Sequence, residues 1–195
     1  MKKLIPILAI LFLGVACTDI YAPKEVEYLI PNGQHESKVQ GGFAADKIRT
    51  LKSTTLSFTA RFDESARYDL GNDNQYDINK LIGFSDCNSL HHENSIRFGW
   101  RYSIEKSNIE IFAYAYSNAV MNFHYMGDVA IDETAYYQIQ ITDHAFVLQL
   151  NGEVSLEIER TANCDKGLYY MLFPYFGGDE VAPHDVSIFI EETIR

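Results

Sequence analysis

The chain has 195 residues, of which 47% are hydrophobic and 13% aromatic, enough for one domain with a substantial core, and this excludes a disordered protein. Its net charge of −11, with no basic run to offset it, excludes nucleic acid as a partner.

Met1, Lys2 and Lys3 precede the apolar run "LIPILAILFLGVA", a positive n-region followed by a short h-region, so residues 1–16 are predicted to be a signal peptide. The run is too short to persist as a transmembrane helix. Cys17 follows small residues, and "LGVAC" resembles the lipobox of bacterial lipoproteins, with Gly14 where that family prefers a large aliphatic residue. The resemblance implies lipidation at Cys17 and a mature protein held in the bacterial cell envelope, at the outer membrane, by a lipid anchor. An ordinary secretory signal is the alternative. Removing residues 1–16 takes away Lys2 and Lys3 and no acid, so the net charge of −11 becomes −13. With Cys17 lipidated, Cys87 and Cys164 remain as an even pair in an oxidising compartment and are predicted to be bridged, two separate thiols being the other option.

From residue 17 to 53 the chain is rich in turn signals, with "VEYLI" as its one strand-like run, and is predicted to be a tether with an edge strand. Regular alternation follows from residue 54 to 195. "TTLSFTARF" turns Leu56, Phe58, Ala60 and Phe62 to one side. "IEIFAYAY" sets Ile109, Ile111, Ala113 and Ala115 against Glu110, Phe112, Tyr114 and Tyr116, and "YYQIQIT" sets Tyr137, Ile139 and Ile141 against Tyr136, Gln138 and Gln140. "AFVLQLNGEVSLEIER" has the form of a hairpin turning at Asn151 and Gly152, and "LYYMLFPYF" and "VSIFIEE" supply two further strands. The only helical candidate is "FAADKIRTL". Many short strands without βαβ alternation predict an all-β antiparallel β-sandwich of the jelly-roll, concanavalin A-like kind.

Within it, "SIRFGWRYS" places Ile96, Phe98, Trp100 and Tyr102 on one face and Arg97, Gly99 and Arg101 on the other. Across strands, the faces opposite the expected core carry Arg97, Arg101, Tyr114, Tyr116, Gln138, Gln140, Tyr169 and Tyr175. Guanidinium forks, amides and aromatic rings suit a sugar chain on a concave sheet, and they equally suit a solvated sheet face.

The alginate-lyase group of jelly-roll polysaccharide lyases (family seven) carries three strand motifs in order: Arg-Ser/Thr-Glu-Leu-Arg, Gln-Ile-His and Tyr-Phe-Lys-Ala-Gly-x-Tyr. This chain resembles it with "RFGWR" at 97–101, "QIQ" at 138–140 and "YYMLFPY" at 169–175. Gly99, Gln140 and Met171 replace the motif glutamate, histidine and lysine. The resemblance implies a sugar groove in which Arg97 and Gln138 neutralise a uronate carboxylate. Glutamine at 140 cannot act as a base near neutral pH, which points to a non-catalytic, carbohydrate-binding descendant. Should elimination survive, Tyr175 is the acid and base. A structural or adhesive lipoprotein without a glycan ligand is the third class.

No cofactor or metal site is predicted. "DLGNDNQYDIN" is rich in oxygen ligands but lacks EF-hand spacing and reads as solvated turns. His91 and His92 in "HHEN", if on a strand, point to opposite faces. The loop "YFGGDEVAPHD" makes Asp179, Glu180 and His184 candidates for a groove rim or for caps on strand ends.

Overall fold

The computed structural model describes residues 24–40, 49–160 and 169–193. Among these, thirteen strands build the sandwich: β1 (Val26–Ile30), β2 (Lys38–Val39), β3 (Thr50–Leu51), β4 (Thr55–Phe62), β5 (Asn79–Ser85), β6 (Ser95–Ser103), β7 (Asn108–Ser117), β8 (Val120–Val129), β9 (Thr134–Ile141), β10 (Ala145–Leu150), β11 (Val154–Glu159), β12 (Tyr169–Leu172) and β13 (Val186–Thr193). One sheet has seven strands in the order β11-β10-β9-β4-β13-β1-β2, the other six in the order β3-β12-β5-β6-β7-β8. Every strand pair is antiparallel. The expected all-β jelly-roll sandwich is therefore present.

Alternation drives the packing, since every second residue of a strand with one polar face must leave water. Phe58, Phe62, Tyr137, Ile139 and Ile188 from the seven-stranded sheet meet Phe84, Phe98, Trp100, Ile109 and Ile111 from the six-stranded one in a single core. Tyr137 lies stacked on Phe58 at 5.0 Å and edge-on to Phe98 at 5.0 Å, while Phe62 tilts against Trp100 at 5.1 Å. Such aromatic contacts each add about 1 kcal/mol beyond the area they bury.

β1 is not an edge strand. It lies between β13 and β2 with Tyr28 and Ile30 buried, so the sandwich begins upstream of residue 54 and the segment predicted as a tether contributes strands. The helical candidate 43–51 falls mostly outside the described residues, and its last two residues form β3. The predicted signal peptide 1–16 and Cys17 also lie outside them. Cys87 is disulfide-bonded, and Cys164, its expected partner, is outside the described residues. Next to Cys87, Asp86 receives Arg160 through Nε at 2.7 Å and Nη2 at 3.0 Å, a buried pair that ties the end of β5 to the end of β11.

The oxygen-rich stretch 69–79 is a braced loop. Asp69 accepts from the Gly71 amide, Asn72 caps a 3₁₀ turn at Asp73–Tyr76, and the Asn74 amide donates to Glu180 at 3.0 Å. It lies over one end of the outer face of the six-stranded sheet, where Ile78 forms a small apolar cluster with Phe112 and Tyr114. Ile78 fits there because Gly99 has no side chain: a Cβ at that position would stand 2.4 Å from Ile78 Cγ2.

Candidate functional site

On β6 the even positions Ile96 to Tyr102 face the core, and Arg97, Gly99 and Arg101 face outward, as the alternation requires. Arg97 pairs across the ladders with Gly83 on β5 and Tyr114 on β7. A bulge between Lys80 and Gly83 turns Leu81 and Ile82 both into the core, which returns Gly83 to the outer face beside Arg97. The absent side chain lets the strands close tightly, because a Cβ on Gly83 would lie 2.2 Å from Arg97 Cβ.

Arg97 is 6% exposed, and its guanidinium carbon lies 5.8 Å from the Tyr114 ring centroid. Its Nε has no hydrogen-bond partner, and no carboxylate among the described residues forms an ion pair with it. Burial draws this guanidinium down to about 10, against the opposing pull of Tyr114, Tyr116 and Tyr175.

Lys80 reaches the same place from β5. Its Nζ donates to the Gly177 carbonyl at 2.8 Å and lies 5.2 Å from the Tyr114 ring and 5.9 Å from the Tyr175 ring. Burial first, and the neighbouring Arg97 second, draw the ammonium down to about 8. Tyr175 is held by its backbone, which exchanges both hydrogen bonds with Lys80 at 2.8 and 3.0 Å and bridges Glu36 on its other side. The His35 ring stacks on its ring at 5.1 Å. Arg97, Lys80, Tyr114, Tyr175 and Glu36 line a cavity of about 560 Å³, to whose wall the chain on either side of Tyr175 contributes Leu172 to Pro174 and Gly177 to Asp179. His91 and His92 complete its lining from the turn before β6, and burial, then Arg97, lowers the His91 imidazole. The cavity thus gathers two cations and three tyrosine rings, with Glu36 and Asp179 also in its lining, in a protein that is acidic overall.

Of the predicted site residues, the structure brings together Arg97, Tyr114, Tyr116 and Tyr175. Arg101 is elsewhere: Nε binds Glu110 at 2.5 Å, Nη1 donates to the Tyr76 carbonyl at 3.0 Å, and Phe112 and Tyr76 cover it. Lys106 also pairs with Glu110, at 2.9 Å. Burial pushes the Glu110 carboxyl up, but Lys106 and Arg101 outweigh it and hold the group below its ordinary value. Arg101 is therefore already neutralised and is withdrawn as a ligand residue. Gln138 and Gln140 are withdrawn for a topological reason. β9 lies between β10 and β4 in the seven-stranded sheet, so their outward side is the far side of the molecule. Gln138 there bonds Ser57 at 3.1 Å. Tyr169 turns inward instead, packing edge-on to Phe84 at 5.4 Å, with its hydroxyl receiving Arg160 at 3.2 Å.

Lys80 was not among the residues expected at the site; its one signal in the sequence is a single cation inside the apolar run "INKLIGF". His91 and His92, expected to point to opposite faces if on a strand, occupy a turn, where side chains do not alternate between faces. Asp179 lines the cavity, whereas His184 bonds the Ser65 carbonyl at 2.8 Å and serves the fold.

A jelly-roll sandwich can host many unrelated functions, so any functional argument rests on the cavity on the outer face of its six-stranded sheet and not on the fold. No known protein family matches the sequence, and no curated protein does. Solved structures do match by fold. An alginate lyase in complex with an alginate trisaccharide superposes with a TM-score of 0.57 at 13% identity, over 87% of this chain and 81% of that one. The alginate lyase AlyC3 gives 0.56 at 9% identity, over 84% and 71%. A GH16 protein of Bacteroides ovatus, of a mixed-linkage glucan system and in complex with a product, gives 0.52 at 9% identity, over 88% and 80%. The alginate-lyase resemblance read from the sequence thus holds for the fold, a concanavalin-like jelly roll.

Proposed function

We propose that this chain binds an acidic polysaccharide, with Arg97 receiving a sugar carboxylate in the cavity. The observation that carries the reading is a guanidinium buried without a carboxylate partner among the described residues. An unpaired buried cation costs several kcal/mol, and a ligand carboxylate is the group that removes that cost. Tyr114, Tyr116 and Tyr175 supply ring faces and hydroxyls for the sugar itself. The fold neighbours caught with an alginate trisaccharide and a glucan product support a glycan as the ligand class. The chain is further proposed to be anchored in the bacterial envelope by lipid on Cys17, so that Cys17→Ala moves it from the detergent phase into the aqueous phase.

One observation favours a second reading, polysaccharide lyase. Lys80, with its ammonium lowered to about 8, has an appreciable neutral fraction near neutral pH and stands in the same cavity as Arg97 and Tyr175. In β-elimination Arg97 would neutralise the carboxylate, neutral Lys80 would take the proton from the adjacent carbon, and the Tyr175 phenol would protonate the departing glycosidic oxygen as the carbon–carbon double bond forms. The experiment is a glycan-array screen of the full chain, followed by ultraviolet detection of unsaturated products from each hit. Product that disappears in Lys80→Met while binding persists establishes the lyase. Binding without product establishes a carbohydrate-binding protein, and an array with no acidic hit overturns both.

A further inference from the structure

The outer face of the six-stranded sheet continues past the cavity to its edge strand. Residues 120–125 of β8 are all exposed, and Met121, Phe123 and Tyr125 pair across the ladder with Tyr116, Tyr114 and Phe112. They therefore share the outer face with those rings. Phe123 is 50% exposed and Tyr125 52%, and both meet the buried Phe112 edge-on, at 6.1 and 5.8 Å. Clustered exposed aromatics of this kind mark an interaction surface. The row Arg97–Tyr114–Phe123 makes the stripe continuous with the cavity.

We infer that β8 forms an uncharged stacking platform for a polysaccharide that enters the Arg97 cavity and runs across β7 toward the sheet edge, so that the site binds chains rather than single sugars. This inference rests on the proposed carbohydrate reading. Two features identify a sugar chain as the occupant. Ladder neighbours stand about 4.8 Å apart, so Phe123 lies about 10 Å from Arg97, farther than one monosaccharide reaches. The platform also places flat apolar rings beside a cationic pocket, which matches a polymer whose charge sits on carboxylates and whose ring faces are apolar. At the far end, Lys106 Nζ lies 4.9 Å from the Tyr125 ring centroid but is engaged by Glu110 and Asp128, so the platform adds no free cation of its own.

The test titrates mannuronate and galacturonate oligomers, from dimer to octamer, into the full chain, into Phe123→Ala/Tyr125→Ala and into Arg97→Ala. Both β8 rings are exposed, and matched thermal melts verify the fold of each variant. Affinity of the parent chain should climb with length, and the double variant should lose about tenfold for the octamer while keeping its affinity for the dimer. An unchanged length dependence in the double variant overturns the inference. So does a parent chain that sediments as a dimer and becomes monomeric in the double variant with octamer binding unaltered, because β8 would then be a subunit edge. Binding by no oligomer at all overturns the carbohydrate reading itself. Arg97→Ala that keeps full affinity removes the carboxylate assignment while leaving the platform intact.

Discussion

Arg97 stands directly across the β6–β7 ladder from Tyr114, its guanidinium carbon 5.8 Å from the ring centroid, in a place where no described acid answers its charge. Four residues along the same strand face, Arg101 is held by Glu110 at 2.5 Å. Two arginines with one sequence pattern thus have opposite standing, one available to a ligand and the other committed to the fold.

Arg97→Ala is expected to weaken binding of an acidic oligosaccharide by about 1.5–3 kcal/mol, the range for a hydrogen bond to a charged group, and Arg97→Lys to recover only part because the planar fork is lost. Arg97→Met should weaken the same binding by a similar amount yet raise stability by about 1–3 kcal/mol, since it removes an uncompensated buried charge. Calorimetric titration and denaturant unfolding check the pair of effects. A variant that loses both stability and binding would show that the guanidinium is structural.

Lys80 gives a pH dependence with a defined sign. Its ordinary value of 10.5 falls to about 8 in the folded protein, so between those values the unfolded chain holds the extra proton. Stability of the unliganded protein should therefore rise with pH from about 8, up to the point where the tyrosines of the unfolded chain begin to ionise near pH 10. Lys80→Met should be more stable than the parent by about 2 kcal/mol at pH 7, with the gap narrowing by pH 9.5. Denaturant unfolding at the two pH values measures it, and a gap independent of pH would refute the assignment.

Gly83→Ala should be costly, because the new methyl would meet Ile96 O at 2.1 Å and Arg97 Cβ at 2.2 Å, both on the facing strand. Neither is a flexible chain end, so β5 must part from β6. A loss of at least about 2 kcal/mol is expected, together with weakened ligand binding through displacement of Arg97. Chemical denaturation with a parallel binding titration reads both.

Ala119→Gly should be stabilising. Asn118 and Ala119 turn the β7–β8 hairpin at φ of 51° and 63°, a conformation that favours Asn at the first position and Gly at the second. The alanine there carries a strain of about 1 kcal/mol, partly offset by the greater freedom glycine brings to the unfolded chain. A rise in melting temperature of a few degrees is expected, and a fall would show that the freedom glycine brings to the unfolded chain outweighs the strain relieved at Ala119, whose amide donates to the Glu93 carbonyl at 2.9 Å in either variant.

The face assignments on β4, β6, β7 and β9 were legible because their inward positions are apolar at every second residue and no bulge falls within the stretches read, so period two survives even in β6 and β7, which are buried on both faces. β5 was not. "NKLIGFS" is covered on nearly all sides and carries a bulge, which erases alternation and hid Lys80. Gln138 and Gln140 misled for a related reason: alternation says that a side chain points outward but not from which sheet, and that is decided by pairing with residues far along the chain. The neutralising of Arg101 by Glu110 was equally invisible, being a contact across a ladder.

Tyr175 closes the cavity by backbone bridges to Glu36 and Lys80, residues 139 and 95 positions away. Joining points so distant along a chain carries a large loop-closure entropy and belongs to the slow, high-contact-order part of folding. Most strand pairs, such as β6 with β7 or β10 with β11, join neighbours and can form first. During refolding the circular dichroism signal should therefore recover ahead of ligand competence, and a nascent chain would acquire its binding function only after synthesis has passed residue 175.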